Sequence, residues 1–254
     1  MTVLPPDYDT DPGRFLSSTR YPHDDVHPYV ADRFAAAGAR TVLDVGGGTG
    51  KLARLLPDRS MRCVLVDLSP AMLGRAPRPA ILGDGGRLPV ADASVDAVAL
   101  LYTLYHYRDA RVPVREARRV LRPGGMVAAC APNRDSTPEL AHVLPGWGEP
   151  STFDGEDAAA LIASVFSEPG DQVVPDRWDG PLVTLSEAGH AASFLRVHGM
   201  TEAAAQAAAA GLDLPLTLTM RGCCVYAVKG PRWPGPAPRQ GQPPDQLTPA
   251  SSSS

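Results

Sequence analysis

The 254-residue chain lacks the features that would mark it for nucleic acid, metal or membrane. Its formal net charge is −4, and no run of five or six like charges occurs. Both argue against nucleic acid as an obligatory partner, since neutralising its phosphates needs a basic face. There is no CxxC pair, and the histidines are scattered without ligand spacing, so no metal is predicted. The four cysteines stand in apolar runs: Cys63 in RCVLVD, Cys130 in GMVAACA, and Cys223 with Cys224 in GCCVYAV. That placement predicts buried thiols in a reducing compartment rather than disulfides. The longest apolar run, around AVALLYTLY, is too short to span a bilayer. The opening MTVLPPDYDTD lacks a basic stretch followed by an apolar one, so no secretory signal is read and a cytoplasmic protein is expected.

What is present is an ordinary globular composition, 44% hydrophobic, with a regular rhythm. Residues 1–22 are polar and proline-bearing and read as an N-terminal arm, with a helix expected from about Asp24 to Ala39. Strands are then expected at 41–45, 62–67, around 81–82, at 95–101 and at 126–131. Helices alternate with them from Gly50, from Ser69 and through 114–122. Ser69 followed by Pro70 is a helix start, a hydroxyl cap before a residue whose missing N–H costs nothing there. Such alternation implies a mostly parallel, doubly wound sheet, an α/β fold.

After Ala131 the rhythm loosens. A loop-rich stretch over 132–153 precedes a helix at about 155–166 and a strand near 171–178. Two alanine-rich helices at 186–197 and 201–210, capped by Ser186 and Thr201, lead to a final strand at 223–229. Beyond 230 the chain is Pro/Ser-rich and too poor in apolar residues to offset the entropy of ordering, which predicts a disordered tail over 231–254. One domain over 23–230 is expected, with lid elements at about 132–153 and 186–212.

The central motif is DVGGGTG, Asp44 to Gly50, between a strand and a helix. Glycines let the backbone turn sharply and approach a ligand, and the helix start offers amide donors. Gly46, Gly48 and Gly50 give GxGxG. A dinucleotide fingerprint would need Gly or Ala where Lys51 stands, and the phosphate loop GxxxxGK[ST] fails at Val45 and Leu52. Two acids accompany the loop. Asp67 ends the next strand, where a carboxylate accepts ribose hydroxyls, and Asp84 in GDGGRLP ends the one after. The plainer alternative makes the loop a tight turn and both acids exposed strand ends. Ligands of such sheets bind at those carboxyl ends.

LDVGGGTGKLARLL, VLVDLSPAML, GDGGRLPVADASVDAV and VLRPGGMV resemble class I S-adenosylmethionine-dependent methyltransferases, in particular the small-molecule group typified by ubiquinone/menaquinone-biosynthesis enzymes. The resemblance runs from about Tyr8 to Lys229. It implies a seven-stranded Rossmann-like sheet closed by an antiparallel last strand, which CCVYAVK would supply. It implies S-adenosylmethionine as cofactor, with Gly46, Gly48 and Gly50 along its methionine and ribose portions and Asp67 on the ribose hydroxyls. Leu68 and Met72 would flank the adenine, Asp84 and Gly85 would read its amino group, and Leu101 would lie beneath the sulfonium. LLYTLYHY stands where base-methylating relatives carry [DN]PP[YF], and no Pro-Cys dipeptide occurs, so nucleic-acid bases are not the expected acceptor.

Methyl transfer is an in-line displacement, so alignment and water exclusion do most of the work. His106 is the candidate catalytic residue, a base for an acceptor that carries a proton; it reads more simply as a residue that packs against the cofactor or helps cap the next helix. Tyr21, Tyr102, Tyr105 and Trp147 are candidate acceptor contacts, and Arg20 a partner for the cofactor carboxylate. Phe153, Trp178, His190, Phe194 and His198 are further candidate walls; Phe194 reads more simply as the buried side of its helix. The expected partner is a small-molecule acceptor. The Ala, Arg, Pro and Gly richness points to a GC-rich bacterial genome and, by association, to natural-product tailoring. The alternative function keeps the cofactor site but no transfer: a regulator, or a catalyst of another reaction.

Overall fold

A computed structural model describes residues 8–9 and 26–230. Arg20, Tyr21, most of the expected arm and the whole expected tail lie outside those residues. The apolar runs become strands β1 (Thr41–Val45), β2 (Arg62–Asp67), β3 (Ala80–Leu82), β4 (Val95–Leu101) and β5 (Leu121–Pro132), followed by β6 (Gln172–Leu185) and β7 (Leu216–Val228). They form one sheet in the order β3-β2-β1-β4-β5-β7-β6. The first five are parallel; β7 runs antiparallel to both β5 and β6. This is the expected α/β sheet with its antiparallel last strand.

Because both faces are covered, the central strands are apolar throughout rather than alternating. Leu43, Val98, Val127 and Val225 point to one face, packed by the helices α4 (Arg111–Val120) and α5 (Ala158–Ala163). Their neighbours Val42, Ala97, Met126 and Tyr226 point to the other, where α1 (Val26–Ala36) inserts the fully buried Phe34. Burying one such side chain contributes about 1.5–3 kcal/mol. Two short helices, α2 (Lys51–Leu55) and α3 (Pro70–Leu73), follow β1 and β2. Ser69 caps α3 as expected, its hydroxyl accepting from the Met72 amide at 3.2 Å.

The last hairpin is longer than the sequence suggests. β7 pairs with β5 only from Gly222 onward, whereas β6 and β7 continue together to Leu185 opposite Leu216. The hairpin thus runs past the carboxyl end of β5. There it carries α6 (Ala188–Val197) and α7 (Glu202–Ala210) and encloses a second small core with Leu140, Leu185, Phe194, Leu195 and Leu218. Phe194 is core, with His198 stacked on it at 4.3 Å. Thr201 caps α7 through the Ala204 amide. Ser186 does not cap α6; its hydroxyl pairs with His190 Nδ1 at 2.8 Å instead, and Glu187 takes the cap position.

The cysteines overturn a further expectation. Cys130 and Cys224 are joined as a disulfide, while Cys63 and Cys223 are free. The two stand directly opposite each other in the β5–β7 register, with Cα atoms 4.1 Å apart. They are 94 residues apart in sequence, so only the antiparallel pairing reveals them. No helix of the described residues is long and apolar enough to cross a membrane.

Candidate functional site

The chain leaves β1 through three left-handed glycines, Gly46 at φ 67°, Gly48 at 57° and Gly50 at 83°. Only glycine adopts that sequence of angles without strain. The turns draw the backbone tightly against its surroundings: a Cβ at Gly46 would meet Thr103 Oγ1 at 2.2 Å, and one at Gly50 would meet Pro77 Cδ at 2.4 Å. At Gly48 a Cβ would meet nothing within 4 Å. The loop is packed at its ends and open in its middle.

Asp67, the last residue of β2, reaches into that loop. Its Oδ2 accepts from the Gly48 amide at 2.8 Å and its Oδ1 from the Ser69 amide at 2.9 Å. Burial raises the Asp67 pKa, opposed by these amides. The Leu68 amide bears on the same carboxylate, so three backbone donors use part of its acceptor capacity. Gly83 continues the β2–β3 ladder by donating to the Asp67 carbonyl at 3.0 Å, which sets Asp84 beside it. Asp84 Oδ1 accepts from Gly86 at 2.8 Å and shapes the turn. Burial raises the pKa of the Tyr107 hydroxyl, and both acids lie near enough to push it up further. Gly85 is pressed against that hydroxyl; a Cβ there would meet it at 2.5 Å.

Of the adenine-side candidates, Met72 is buried and Leu68 exposed, beside Ile81 and Leu82, which are also exposed. Leu101 is buried at the end of β4. The next residue, Tyr102, takes a left-handed φ of 55° with its amide on the Cys130 carbonyl at 3.0 Å. This sharp exit carries Thr103 against Gly46 and leads into a single 3-10 turn, Leu104–His106. There the half-buried His106 ring lies edge-on to Tyr105 at 4.5 Å. Burial lowers the His106 pKa to about 4, so the ring is neutral at pH 7.

Glycine loop, Asp67, Asp84, Tyr102 and His106 therefore all stand at the carboxyl edge of the parallel strands. Trp147 does not join them: its indole N–H donates to the Ser136 carbonyl at 2.8 Å and its ring packs in the second core. Phe153 is buried in the main core, and Trp178 lies over Gly222. Among the described residues no group of three or more His, Cys, Asp or Glu is placed to hold a metal.

Three residues at this edge escaped the sequence reading. Tyr107 is one. The second is Asp44, buried, with Oδ2 lacking a hydrogen-bond partner among the described residues. Burial raises its pKa to about 6, countered by His27 and reinforced by Asp67. Its place inside the glycine motif was the available signal. The third is Tyr8, whose hydroxyl meets His106 Nε2 at 2.7 Å; no local pattern marks it.

Comparison with known proteins gives the same reading. The family described as Methyltransferase domain matches residues 43–129, the segment from β1 to β5 that builds this edge. This likeness supports a class I S-adenosylmethionine-dependent methyltransferase domain over that segment. An uncharacterized methyltransferase of Mycobacterium tuberculosis is 39% identical over 132 residues, covering 48% of this chain and 54% of the relative. A ubiquinone/menaquinone biosynthesis C-methyltransferase of Caulobacter vibrioides is 30% identical over 162 residues, 54% of this chain and 64% of the relative. The chain thus spans about half the length of the curated relatives it matches first. Among solved structures, the [4+2]-cyclase SpnF shares the fold of the methyltransferase domain at a TM-score of 0.58, with 20% identity over 82% of each chain.

Proposed function

We propose that the chain transfers a methyl group from S-adenosylmethionine to a small-molecule metabolite. The carrying observation is the Asp67 carboxylate bonded to the Gly48 amide, which brings acid and open loop to one point. The residues suit an adenosyl group. Asp67 retains acceptor capacity for a ribose hydroxyl, and Asp44 Oδ2, without a partner among the described residues, is a negative site beneath the loop for a cationic ligand. Asp84 and Gly85 would take the adenine edge, Leu68 and Met72 its faces, and Gly46 and Gly50 the methionine portion. Leu101 would underlie the sulfonium.

Bound S-adenosylmethionine supplies a methyl carbon activated by positive sulfur. The protein aligns the acceptor with it and excludes water. Tyr102 and Tyr105 would face the acceptor. We assign residues 23–230 to this domain and its reaction to the cytoplasm, with natural-product tailoring as its setting. Thermal melting tests the cofactor: S-adenosylmethionine and its demethylated product should raise Tm, and NAD should not. Equal stabilisation by NAD would refute the site.

The alternative function finds support in the likeness to SpnF, a [4+2]-cyclase, since that fold accommodates a reaction of another class. Methyl-labelled cofactor separates the two. Label recovered in a metabolite supports transfer; turnover of a metabolite with all label retained on the cofactor supports the alternative.

A further inference from the structure

The turns that follow β3 and β4 meet, although β1 and β2 lie between those strands in the sheet. Tyr107 makes the connection. Its backbone amide donates to the Leu104 carbonyl at 3.1 Å, which ends the turn that carries His106. Its buried side chain reaches the turn that carries Asp84. A Cβ on Gly85 would lie 2.5 Å from the Tyr107 hydroxyl and 2.6 Å from Val45 Cγ1, so only glycine fits there.

Packing alone would be served by phenylalanine, since a buried hydroxyl carries a desolvation cost that a bare ring avoids. Here the hydroxyl stands against Gly85, whose amide bears on its oxygen. Burial above all, then Asp84 and Asp67, oppose its ionisation, so it stays a neutral phenol. Only two torsions separate the ring from the backbone, so in a close-packed interior a displaced hydroxyl displaces the turn behind it. The rest of the Asp84 loop is fastened to α4: Glu116 accepts from the Leu88 amide at 2.8 Å, and Arg119 donates to the Leu88 carbonyl at 3.1 Å. At the far end of the His106 turn, Thr103 packs on Gly46. Residues 84–88 and 103–107 therefore form one packed body along the carboxyl edge of the strands.

We propose that Tyr107 is a positioning residue that couples the seating of the adenine to the turn carrying His106. A base that meets Asp84 and Gly85 presses on the Tyr107 hydroxyl, and the ring passes that displacement to the peptide beside His106. The coupling is reciprocal: what sets the turn at His106 also sets the affinity for the base. The inference rests on the cofactor site proposed above.

Adenosine is the probe, because it carries base and ribose without the methionine portion or the sulfur. Nitrogen-15 NMR of the full chain follows the His106 ring, identified by the signal that His106→Gln removes. In the wild type, saturating adenosine should shift that signal. Tyr107→Phe deletes only the hydroxyl; it should bind adenosine about tenfold more weakly, and saturation should leave its His106 signal unmoved. A second variant acts on the same contact from the other side. Gly85→Ala drives a methyl onto the hydroxyl and should shift the His106 signal with no ligand present. The same substitution in Tyr107→Phe should shift it far less, although the contact with Val45 remains. Adenosine that binds the wild type without moving His106, or an equal shift in saturated Tyr107→Phe, would overturn the proposal. So would a His106 signal indifferent to Gly85→Ala. Failure of both adenosine and S-adenosylhomocysteine to bind the wild type would defeat the cofactor reading and the coupling with it.

Discussion

Gly48 donates its backbone amide to the Asp67 carboxylate across 2.8 Å. The bond ties the open middle of the glycine loop to the end of the neighbouring strand, and it dictates what substitutions there should do.

Asp67→Ala removes the loop's tether and the proposed acceptor of the ribose hydroxyls at once. Each charge-assisted hydrogen bond contributes about 1.5–3 kcal/mol. Calorimetry with S-adenosylhomocysteine should therefore show binding weakened at least about tenfold, with Asp67→Asn intermediate. Wild-type affinity in Asp67→Ala would remove Asp67 from the site.

The glycines should separate fold from ligand. Gly50→Ala drives a methyl to within 2.4 Å of the Pro77 ring at a left-handed φ, and should cost about 2 kcal/mol or more of stability. Gly48→Ala meets open space and bears only the left-handed strain of about 1–2 kcal/mol, yet should lose most cofactor affinity because its methyl occupies the approach. Paired melting and binding curves check both; equal Tm losses with intact binding in Gly48→Ala would contradict this division.

Asp44 ties stability to pH. Its folded pKa of about 6 lies above the unfolded 3.8, so its contribution is fully present below the unfolded value and is lost as pH rises through 6. Holding it ionised at pH 8 costs about 3 kcal/mol by that displacement. Asp44→Asn should therefore be more stable than wild type at pH 8, with the difference shrinking toward pH 4. The same variant should bind the cationic cofactor more weakly than wild type at pH 8. Difference melts across that range are the measurement; a gap that grows on acidification would show the opposite linkage.

Trp147 marks the second core rather than the cleft. Trp147→Ala loses the indole bond to Ser136 and a partly buried ring, costing about 2–3 kcal/mol, less than the 3–5 of a fully buried aromatic. Hydrogen exchange should quicken in α6, α7 and the outer β6–β7 hairpin while β1 to β5 stay protected. Cofactor affinity should hold. A drop in affinity without that local loosening would return Trp147 to the site.

Local chemistry wrote much of this protein into its sequence. Buried parallel strands must be continuous apolar runs, and TVLDV, RCVLVD and VDAVALL stand as strands at 41–45, 62–67 and 95–101. Ser69 and Pro70 had to begin a helix, and three alternating glycines had to make a tight left-handed turn. The acids at 67 and 84 followed from their place at strand ends. What the chain order cannot express is which distant residues meet. The union of Cys130 with Cys224, the extension of β7 back to Leu216, the removal of Trp147 into a separate core, and the contact of Tyr8 with His106 all depend on register and packing between segments far apart in sequence. Periodicity reports the face a residue turns to its own element; only the folded chain reports what waits on the other side.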